Sequence, residues 1–237
     1  MSLINTRTGE VGVKIVYFGP ALAGKSTNIK VIHRKTRPEQ RGRLFMIDAG
    51  PEPILSFDFA PDTLPRLADR YRVRLNLVTV PGPVMSPHTR RLVLKGVDAV
   101  VFVADTQEES GELVRFEENV ESMELMHSLL DGLGVDSAVM PLVIQYNKRD
   151  MTDGPSADDS LPGDLRRVQF SPLDALAEAL NPNDVPSVEA VARRGVGVMD
   201  TLRVLVHQLL EPLRQEYEAG ASGDGWPMPS ASGSFPR

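Results

Sequence analysis

The sequence predicts an α/β fold in which helices cover both faces of a mainly parallel central sheet. Residues 97–104 and 142–146 are almost entirely apolar, which is typical of strands buried on both faces. Residues 71–80 alternate between apolar and polar side chains, as a strand with one wetter face does. Segments with apolar positions three and four residues apart lie between the strands, and this alternation favours parallel strands joined by helices.

Local signals place the other elements in chain order. A helix that starts at Lys25 or Ser26 stops before Pro38, because proline cannot continue a helix. Another helix opens after residue 171, a serine suited to the N-cap, and Pro212 is expected to kink or end the last helix. The remaining strands are expected at 11–18, 43–48, 54–59 and 185–190, and the remaining helices at 87–95, 110–130 and 198–217.

The composition is that of an ordinary globular protein and excludes several functions. The chain has 237 residues, is 41% hydrophobic and carries a net charge of −6, so it lacks the basic footprint of nucleic-acid binding. It contains no cysteine, which removes disulfides, Cys–zinc sites and thiol nucleophiles and fits a cytoplasmic location. No apolar run approaches the ~20 residues of a membrane span, and the N-terminus has no signal-peptide core.

The chain divides into one domain and a tail. Residues 1–217 are enough for a single α/β domain with a sizeable core. Residues 218–237 are rich in Gly, Ser and Pro and are expected to form a flexible tail. Trp226 and Phe235 in this tail are either a docking motif or stray aromatic residues of an unstructured end, and the sequence leaves both interpretations open.

Residues 19–27, GPALAGKST, match the phosphate-binding pattern G-x-x-x-x-G-K-[ST]. Glycines let the backbone fold closely around an anion, and inward N–H groups and the next helix's N-terminus favour its negative charge. Lys25 supplies a full charge toward the β- and γ-phosphates, and Ser26 supplies a hydroxyl ligand for Mg²⁺. A chance match in an ordinary strand-turn-helix is the alternative, but the strand and helix that the motif requires are both predicted.

Residues 147–150, NKRD, form an N-K-x-D motif at the end of a buried strand. Guanine presents two donors on one edge, and the Asp150 carboxylate can accept from both, whereas adenine leaves it unpaired at a cost of ~1–3 kcal/mol. The stem of Lys148 can lie across the purine, and Asn147 can tie its loop to the base or to the phosphate loop. Alone the motif is weak, since a solvated strand end explains it as well; with the phosphate loop it favours guanine over adenine nucleotides.

These residues resemble the Ras-like small GTPases and, more narrowly, the bacterial gliding-motility GTPase family MglA. The resemblance covers most of residues 1–215 and implies a P-loop NTPase fold and a GTP/GDP switch with Mg²⁺. It also implies a role in cell polarity and motility, recruitment to the cell poles by partners, and a roadblock-type homodimeric regulator, MglB. The matching stretches are KIVYFGPALAGKST at 14–27, FDFAP at 57–61, TVPGP at 79–83, LVLKGVDAVVFVADTQ at 92–107, VIQYNKRD at 143–150 and ARRGVGV at 192–198.

The resemblance completes a predicted nucleotide site. Residues 192–194 follow the last strand, where a third loop can meet the guanine carbonyl through a backbone N–H. The predicted metal ligand is Ser26. The predicted nucleotide-binding residues are Gly19, Pro20, Ala21, Leu22, Ala23, Gly24, Lys25, Ser26, Thr27, Gly82, Asn147, Lys148, Asp150, Ala192, Arg193 and Arg194.

Three departures from the family pattern affect catalysis. Aligned on FDF, the family's switch I Arg-Thr pair falls on Pro53 and Ile54, and its switch II Gln falls on Pro83. The Arg serves as an arginine finger, the Thr binds Mg²⁺ and the Gln orients the attacking water. Because the residues here offer no such groups, the resemblance implies GTP binding with hydrolysis that is slow or depends on a partner.

Alternatives remain at the level of the sequence. A register slip in the breaker-rich segment 48–53 would let Ser56, Thr63 or Arg66 take the missing roles. A pseudo-GTPase interaction module that holds nucleotide as structure is the alternative to a switch. An ATP-dependent kinase or ATPase is the third possibility, and it depends on the base-reader interpretation of Asp150 being wrong.

Overall fold

The computed structural model describes residues 3–5, 8–48, 53–67, 70–81, 87–109, 112–151 and 172–221, and it confirms the predicted α/β fold. The strands are β1 Leu3–Asn5, β2 Glu10–Phe18, β3 Phe45–Ile47, β4 Ile54–Phe59, β5 Arg72–Thr79, β6 Ala99–Asp105, β7 Glu108–Glu109, β8 Glu112–Leu113, β9 Leu142–Asn147 and β10 Ser187–Ala190. The α-helices are α1 Lys25–Lys35, α2 Pro87–Leu94, α3 Phe116–Asp131, α4 Pro172–Leu180 and α5 Val198–Ala221.

The central sheet has the strand order β10-β9-β6-β2-β5-β4-β3. The strands from β10 to β5 run parallel, whereas β4 pairs antiparallel with β5, and β3 pairs antiparallel with β4 at the edge. Strand β1 was not predicted; it pairs antiparallel with the first residues of β2. Three residues are too few to show a periodicity, so the sequence carries no signal for this strand.

The sheet is packed on both faces, as predicted. On one face, Ile15 and Leu77 of the sheet belong to one apolar core with residues of α1 and α5. On the other face, Phe102 and Ile144 belong to a second core with residues of α2, α3 and α4. Strand β6 is buried along its whole length because helices cover it from both sides, which explains its continuous apolar run.

Two boundary predictions are wrong. The helix predicted from residue 110 begins only at Phe116, because the residues before it form the short antiparallel pair β7–β8. The last helix, predicted at 198–217 with a kink or an end at Pro212, neither ends at that proline nor stops at residue 217 but continues to Ala221. A proline removes a single i→i−4 hydrogen bond, and the buried Leu205 and Leu209 hold this helix on the sheet just before that point. The predicted domain boundary at 217/218 stays a prediction, and residues 222–237 lie outside the described part of the chain.

The carboxyl ends of the parallel strands meet at one edge of the sheet. The loops after β2, β6, β9 and β10 therefore lie next to each other, which is where α/β folds bind ligands. A Cβ atom at Gly19 would lie 2.2 Å from the carbonyl oxygen of Val103, so only glycine lets the loop after β2 approach β6 this closely. No helix in the described part of the chain is long and apolar enough to cross a membrane.

Candidate functional site

The loop between β2 and α1, residues 19–24, has the backbone geometry of an anion nest. Leu22 and Gly24 both adopt left-handed conformations, with φ of 62° and 106°. Alternating left- and right-handed residues turn successive N–H groups toward one point. Helix α1 begins directly after Gly24, so its positive dipole end faces the same loop. No acidic residue in the first turn of the helix offsets this positive charge.

The side chain of Lys25 lies inside this loop. It is 3% exposed, and its amine donates hydrogen bonds to the carbonyl oxygens of Gly19 at 3.1 Å and Pro20 at 2.5 Å. These contacts place a full positive charge beneath the nest. The loop therefore combines a cation, convergent N–H groups and a helix N-terminus, the three features that bind polyphosphate.

Asn147 joins three loops through one buried amide. Its Nδ2 donates to the carbonyl oxygen of Ala23 at 2.7 Å, and its Oδ1 accepts from the backbone N–H of Ala192 at 2.8 Å. A Cβ at Gly24 would lie 2.2 Å from the same Nδ2, so glycine is required where the loops meet. Of the two roles predicted for Asn147, the structure shows the contact with the phosphate loop.

A buried network of polar side chains supports the three loops from below. Asn28 and Gln145 exchange hydrogen bonds of 2.7 and 3.0 Å, and Gln145 also donates to Thr201 at 2.8 Å. Asn28 donates in turn to the carbonyl oxygen of Gly24. All three side chains are fully buried, so the network links α1, β9 and α5 in a low-dielectric interior where each partner is needed.

Replacing Asn147 with alanine is expected to loosen the phosphate loop as well as the fold. The change leaves the buried carbonyl of Ala23 and the N–H of Ala192 without this partner, at a cost of ~1–3 kcal/mol per group. We expect a lower melting temperature. GDP should raise the melting temperature of the unmodified protein, and this variant should lose most of that rise. Differential scanning fluorimetry with and without GDP measures both effects.

A matched control is Asn181→Ala. The amide of Asn181 also bridges two backbone groups, those of Val185, but at the far end of α4. This variant should lose stability and keep the GDP-induced rise. Equal loss of the GDP response in both variants would contradict a specific role for Asn147.

The carboxylate of Asp150 is held on one oxygen only. Nε and Nη2 of Arg193 both lie 2.6 Å from Oδ2 of Asp150. The other oxygen, Oδ1, is buried and has no hydrogen-bond partner in the described part of the chain. The Asp150 side chain is 12% exposed, whereas that of Arg193 is 66% exposed and lies at the rim. A buried carboxylate oxygen without a donor is costly, so this group fits a ligand that brings a donor of its own.

Lys148 is positioned by residues that the sequence analysis did not single out. Its amine lies 2.6 Å from Oδ2 of Asp105, which is 1% exposed at the end of β6. Asn119 of α3 brackets Asp105, accepting from its N–H and donating to its carbonyl oxygen, both at 2.8 Å. Lys148 itself adopts a left-handed φ of 70°. An acidic residue at the end of an otherwise apolar strand was the signal that could have identified Asp105.

The structure gathers half of the predicted site residues around one cavity of about 120 Å³. Gly19 and Pro20 border a second, neighbouring cavity. Arg194 is exposed and does not line either cavity, and Gly82 lies outside the described residues. The predicted residues that line the first cavity are Leu22, Gly24, Thr27, Asn147, Lys148, Asp150, Ala192 and Arg193.

The first switch segment comprises residues 49–63, and its described part, residues 53–63, is anchored to the end of β5. The hydroxyl of Thr79 accepts a hydrogen bond of 2.9 Å from the N–H of Leu55 and donates to the carbonyl oxygen of Pro53 at 3.5 Å. Ile54 begins β4 and is buried. Thr79 was not singled out by the sequence analysis. Residues 49–52 and 82–86, which include Pro83, lie outside the described part of the chain.

The residues that a register slip would have placed at the phosphates lie elsewhere. Ser56 lies within β4, opposite Val78, and receives a contact of 3.4 Å from Asn76. Thr63 and Arg66 line a groove against α5, at the edge of the sheet opposite the phosphate loop. The structure therefore gives no support to the alternative in which these three residues replace the missing catalytic groups.

Two arginines lie on the side of the phosphate loop where the second switch segment begins. Arg90 of α2 and Arg115 before α3 line the cavity formed with Gly19, Pro20 and Pro81. Burial lowers the pKa of the Arg90 guanidinium below its usual value. Arg115 pairs with Glu118 at 2.9 Å, and its Nη2 lies 3.5 Å from the carbonyl oxygen of Ala21.

Comparisons with known proteins agree with this geometry. No protein-family model matches the chain. The chain is 39% identical over 215 residues to the mutual gliding-motility protein MglA of Myxococcus xanthus (strain DK1622). That match covers 91% of this chain and 99% of the relative. The match extends over the whole fold, including the loops at the carboxyl edge of the sheet. The chain therefore belongs to the MglA family of Ras-like small GTPases.

Proposed function

We propose that this protein is a guanine-nucleotide switch in which GTP hydrolysis is slow unless a partner assists it. The observation that carries the proposal is the joint made by Asn147. One amide holds the phosphate loop at Ala23 and the third loop at Ala192, beside Asp150. A polyphosphate and a purine bound at the two ends of this arrangement would belong to one nucleotide.

The phosphate end would be bound by the loop of residues 19–27. The left-handed residues Leu22 and Gly24, the Lys25 amine and the N-terminus of α1 all favour an anion at the same point. No cluster of three or more His, Asp or Glu side chains able to hold a metal occurs in the described part of the chain. From its place in the phosphate-binding motif, Ser26 would hold Mg²⁺ together with phosphate oxygens and water, which suits this metal's preference for few protein ligands.

The base end would be read by Asp150. Its Oδ1, which has no partner among the described residues, can accept from N1–H of guanine, and Oδ2 can accept from the exocyclic amine in place of one of the two Arg193 nitrogens. The ion pair of Lys148 with Asp105 supports the proposed placement of the lysine stem across the purine ring. The N–H of Ala192 is taken by Asn147, so other N–H groups of this loop would have to meet the guanine carbonyl.

The catalytic end lacks polar groups at three positions. Pro53 and Ile54 bring no charge and no oxygen ligand to the first switch segment, and Pro83 brings no side chain that can orient water. Since Ser56, Thr63 and Arg66 lie elsewhere, the described residues of β4 and its following loop offer no substitute. Phosphoryl transfer depends on such groups, so binding is kept while turnover is expected to be slow.

A partner is expected at the edge of the sheet beside the first switch segment. Strand β3 exposes three consecutive apolar side chains, Phe45, Met46 and Ile47, each at least 59% exposed. An apolar edge strand favours an interaction surface. A roadblock-type homodimer of the MglB kind is the proposed regulator.

Since the relative is named for gliding motility, we place the switch in bacterial cell polarity or motility, in the cytoplasm and recruited to the poles.

Nucleotide content and a single-turnover assay test the proposal. The purified protein should release GDP or GTP on denaturation and should bind both by calorimetry, with ADP at least tenfold weaker. Hydrolysis of bound GTP should be slower than the ~3 × 10⁻⁴ s⁻¹ of an unassisted small GTPase. Lys25→Ala should abolish binding without unfolding the chain. Absence of any affinity for guanine nucleotides would overturn the proposal, and turnover at or above the rate of an unassisted GTPase would overturn its catalytic part.

The second candidate is an interaction module that holds nucleotide only as structure, and the apolar residues at 53, 54 and 83 favour it. Limited proteolysis distinguishes the two. A switch should show different cleavage in residues 49–63 or 81–89 with GDP and with a non-hydrolysable GTP analogue. Identical patterns with both nucleotides would favour the module.

A further inference from the structure

An apolar groove runs along α5 at the side of the sheet that carries α1. Its volume is about 510 Å³. Phe59 and Leu64 line one wall, at and after the end of β4, and Leu202 and Val206 of α5 line the other. The nucleotide site does not contribute to this groove, and the first switch segment reaches it only with residues at its far end, such as Phe59 and Thr63, so the proposed function leaves the groove unexplained.

The groove lies where the described chain ends. Helix α5 starts beside the third loop of the nucleotide site and packs back along the sheet toward the opposite edge. The connection between β4 and β5 crosses that opposite edge. Arg214, the last residue of α5 that lines the groove, lies about 10 Å before the end of the helix at Ala221, at 1.5 Å per residue.

We propose that residues 222–237, which lie outside the described part of the chain, dock in this groove with Trp226 as the anchor. Five extended residues span about 17 Å, so the segment from Ala221 to Trp226 is long enough to return past Arg214 to Leu210. Residues 68 and 69 also lie outside the described part of the chain and follow the lining residue Leu67, but two residues are too few to fill the groove. The occupant is therefore the chain's own tail.

The chemistry of the tail matches the groove. Trp226 and Phe235 are its aromatic residues, and a buried tryptophan contributes 150–250 Å² of apolar contact on average. Exposed Arg66, Arg203 and Arg214 lie among the lining residues, with Glu211 as the one opposing charge. Guanidinium groups stack favourably on the face of an indole ring. The docking gives Trp226 a structural role.

The fluorescence of the tail tests the proposal directly, because Trp226 is the single tryptophan of the chain. In the full chain, its emission should be blue-shifted and several-fold less quenched by acrylamide, a neutral quencher, than in a Leu64→Glu variant. The control is Val139→Glu, at an exposed position before β9 on the same edge of the sheet. This control should behave like the unmodified protein. Emission and quenching typical of free tryptophan in the unmodified chain would overturn the proposal.

A pair of engineered cysteines keeps the test independent of any loss of stability. The chain has no cysteine of its own, and Thr63 is exposed at the groove. Thr63→Cys with Met228→Cys should form an intramolecular disulfide several-fold faster under mild oxidation than Val139→Cys with Met228→Cys. Equal rates would mean a tail that samples both sites freely and would overturn the proposal. Predominantly intermolecular disulfides would assign the groove to a second copy and would also overturn it.

Discussion

Replacing Asp150 with asparagine is expected to move the base preference of the protein from guanine to xanthine. Guanine presents N1–H and an exocyclic amine, two donors that a carboxylate accepts together. An asparagine amide offers one acceptor and one donor, so its NH₂ group opposes the guanine amine. Xanthine carries a carbonyl oxygen in place of that amine and complements the amide. Losing one such contact costs ~1–3 kcal/mol, or about five- to 150-fold in affinity.

Calorimetry with GDP, XDP and ADP measures this exchange. Asp150→Asn should bind XDP more tightly than GDP, whereas the unmodified protein should do the reverse. The control Asp150→Ala keeps neither acceptor nor donor, so it should weaken both nucleotides. Because Arg193 pairs with Asp150, each variant also needs a melting curve to show that it remains folded. Unchanged preference for GDP in Asp150→Asn would mean that another residue reads the base.

Introducing the missing catalytic groups is expected to raise hydrolysis more than any other change. In the double variant Pro53→Arg with Pro83→Gln, one side chain supplies a positive charge and the other a group that can orient water. An arginine finger in a well-ordered site is worth ~10³–10⁵ in rate. A newly placed arginine is not preorganised, so an increase of at least about tenfold in single-turnover hydrolysis is the expected result. Ile54 is left unchanged because it is buried at the start of β4.

The control for this gain is Pro53→Ala with Pro83→Ala. It removes the same two prolines, whose rings restrict the backbone, but it introduces no polar group. If the alanine variant accelerates hydrolysis as much as the polar one, loop freedom rather than chemistry limits turnover. No acceleration in either variant would contradict the assignment of the three positions to slow hydrolysis.

Much of the fold followed from local patterns. Strands β2, β6 and β9 were predicted within two residues of their observed ends, because apolar runs bounded by glycine or polar residues record burial on both faces. The motif at 19–27 could be recognised from the sequence because the structure requires glycine at two of its positions. Gly19 approaches the backbone of β6 too closely for a side chain, and Gly24 has a left-handed backbone conformation. Helix α3 was predicted to begin six residues too early, at residue 110 instead of Phe116. Apolar positions three and four residues apart indicate a helix but do not reveal that β7 pairs with β8 just before it.

The contacts that shape the site were not readable in the same way. The Asp105–Lys148 pair and the Asn28–Gln145–Thr201 network join residues far apart in the chain, and each residue alone resembles an ordinary polar side chain. Nor could the sequence exclude Thr63 and Arg66 from the phosphate site, since that depends on which edge of the sheet their loop crosses.

Composition, periodicity and motif spacing were sufficient to predict an α/β protein with a phosphate loop and a guanine-reading motif, whereas the role of a switch was implied only by the family resemblance. Periodicity records which faces are buried, and glycine records where the backbone has no room for a side chain. Tertiary structure alone assigned one oxygen of Asp150 to Arg193, left the other without a donor from the described residues, and joined three loops through Asn147. Hydrogen-bond partners depend on distances of a few ångströms between segments that the chain order separates, and no local pattern encodes those distances.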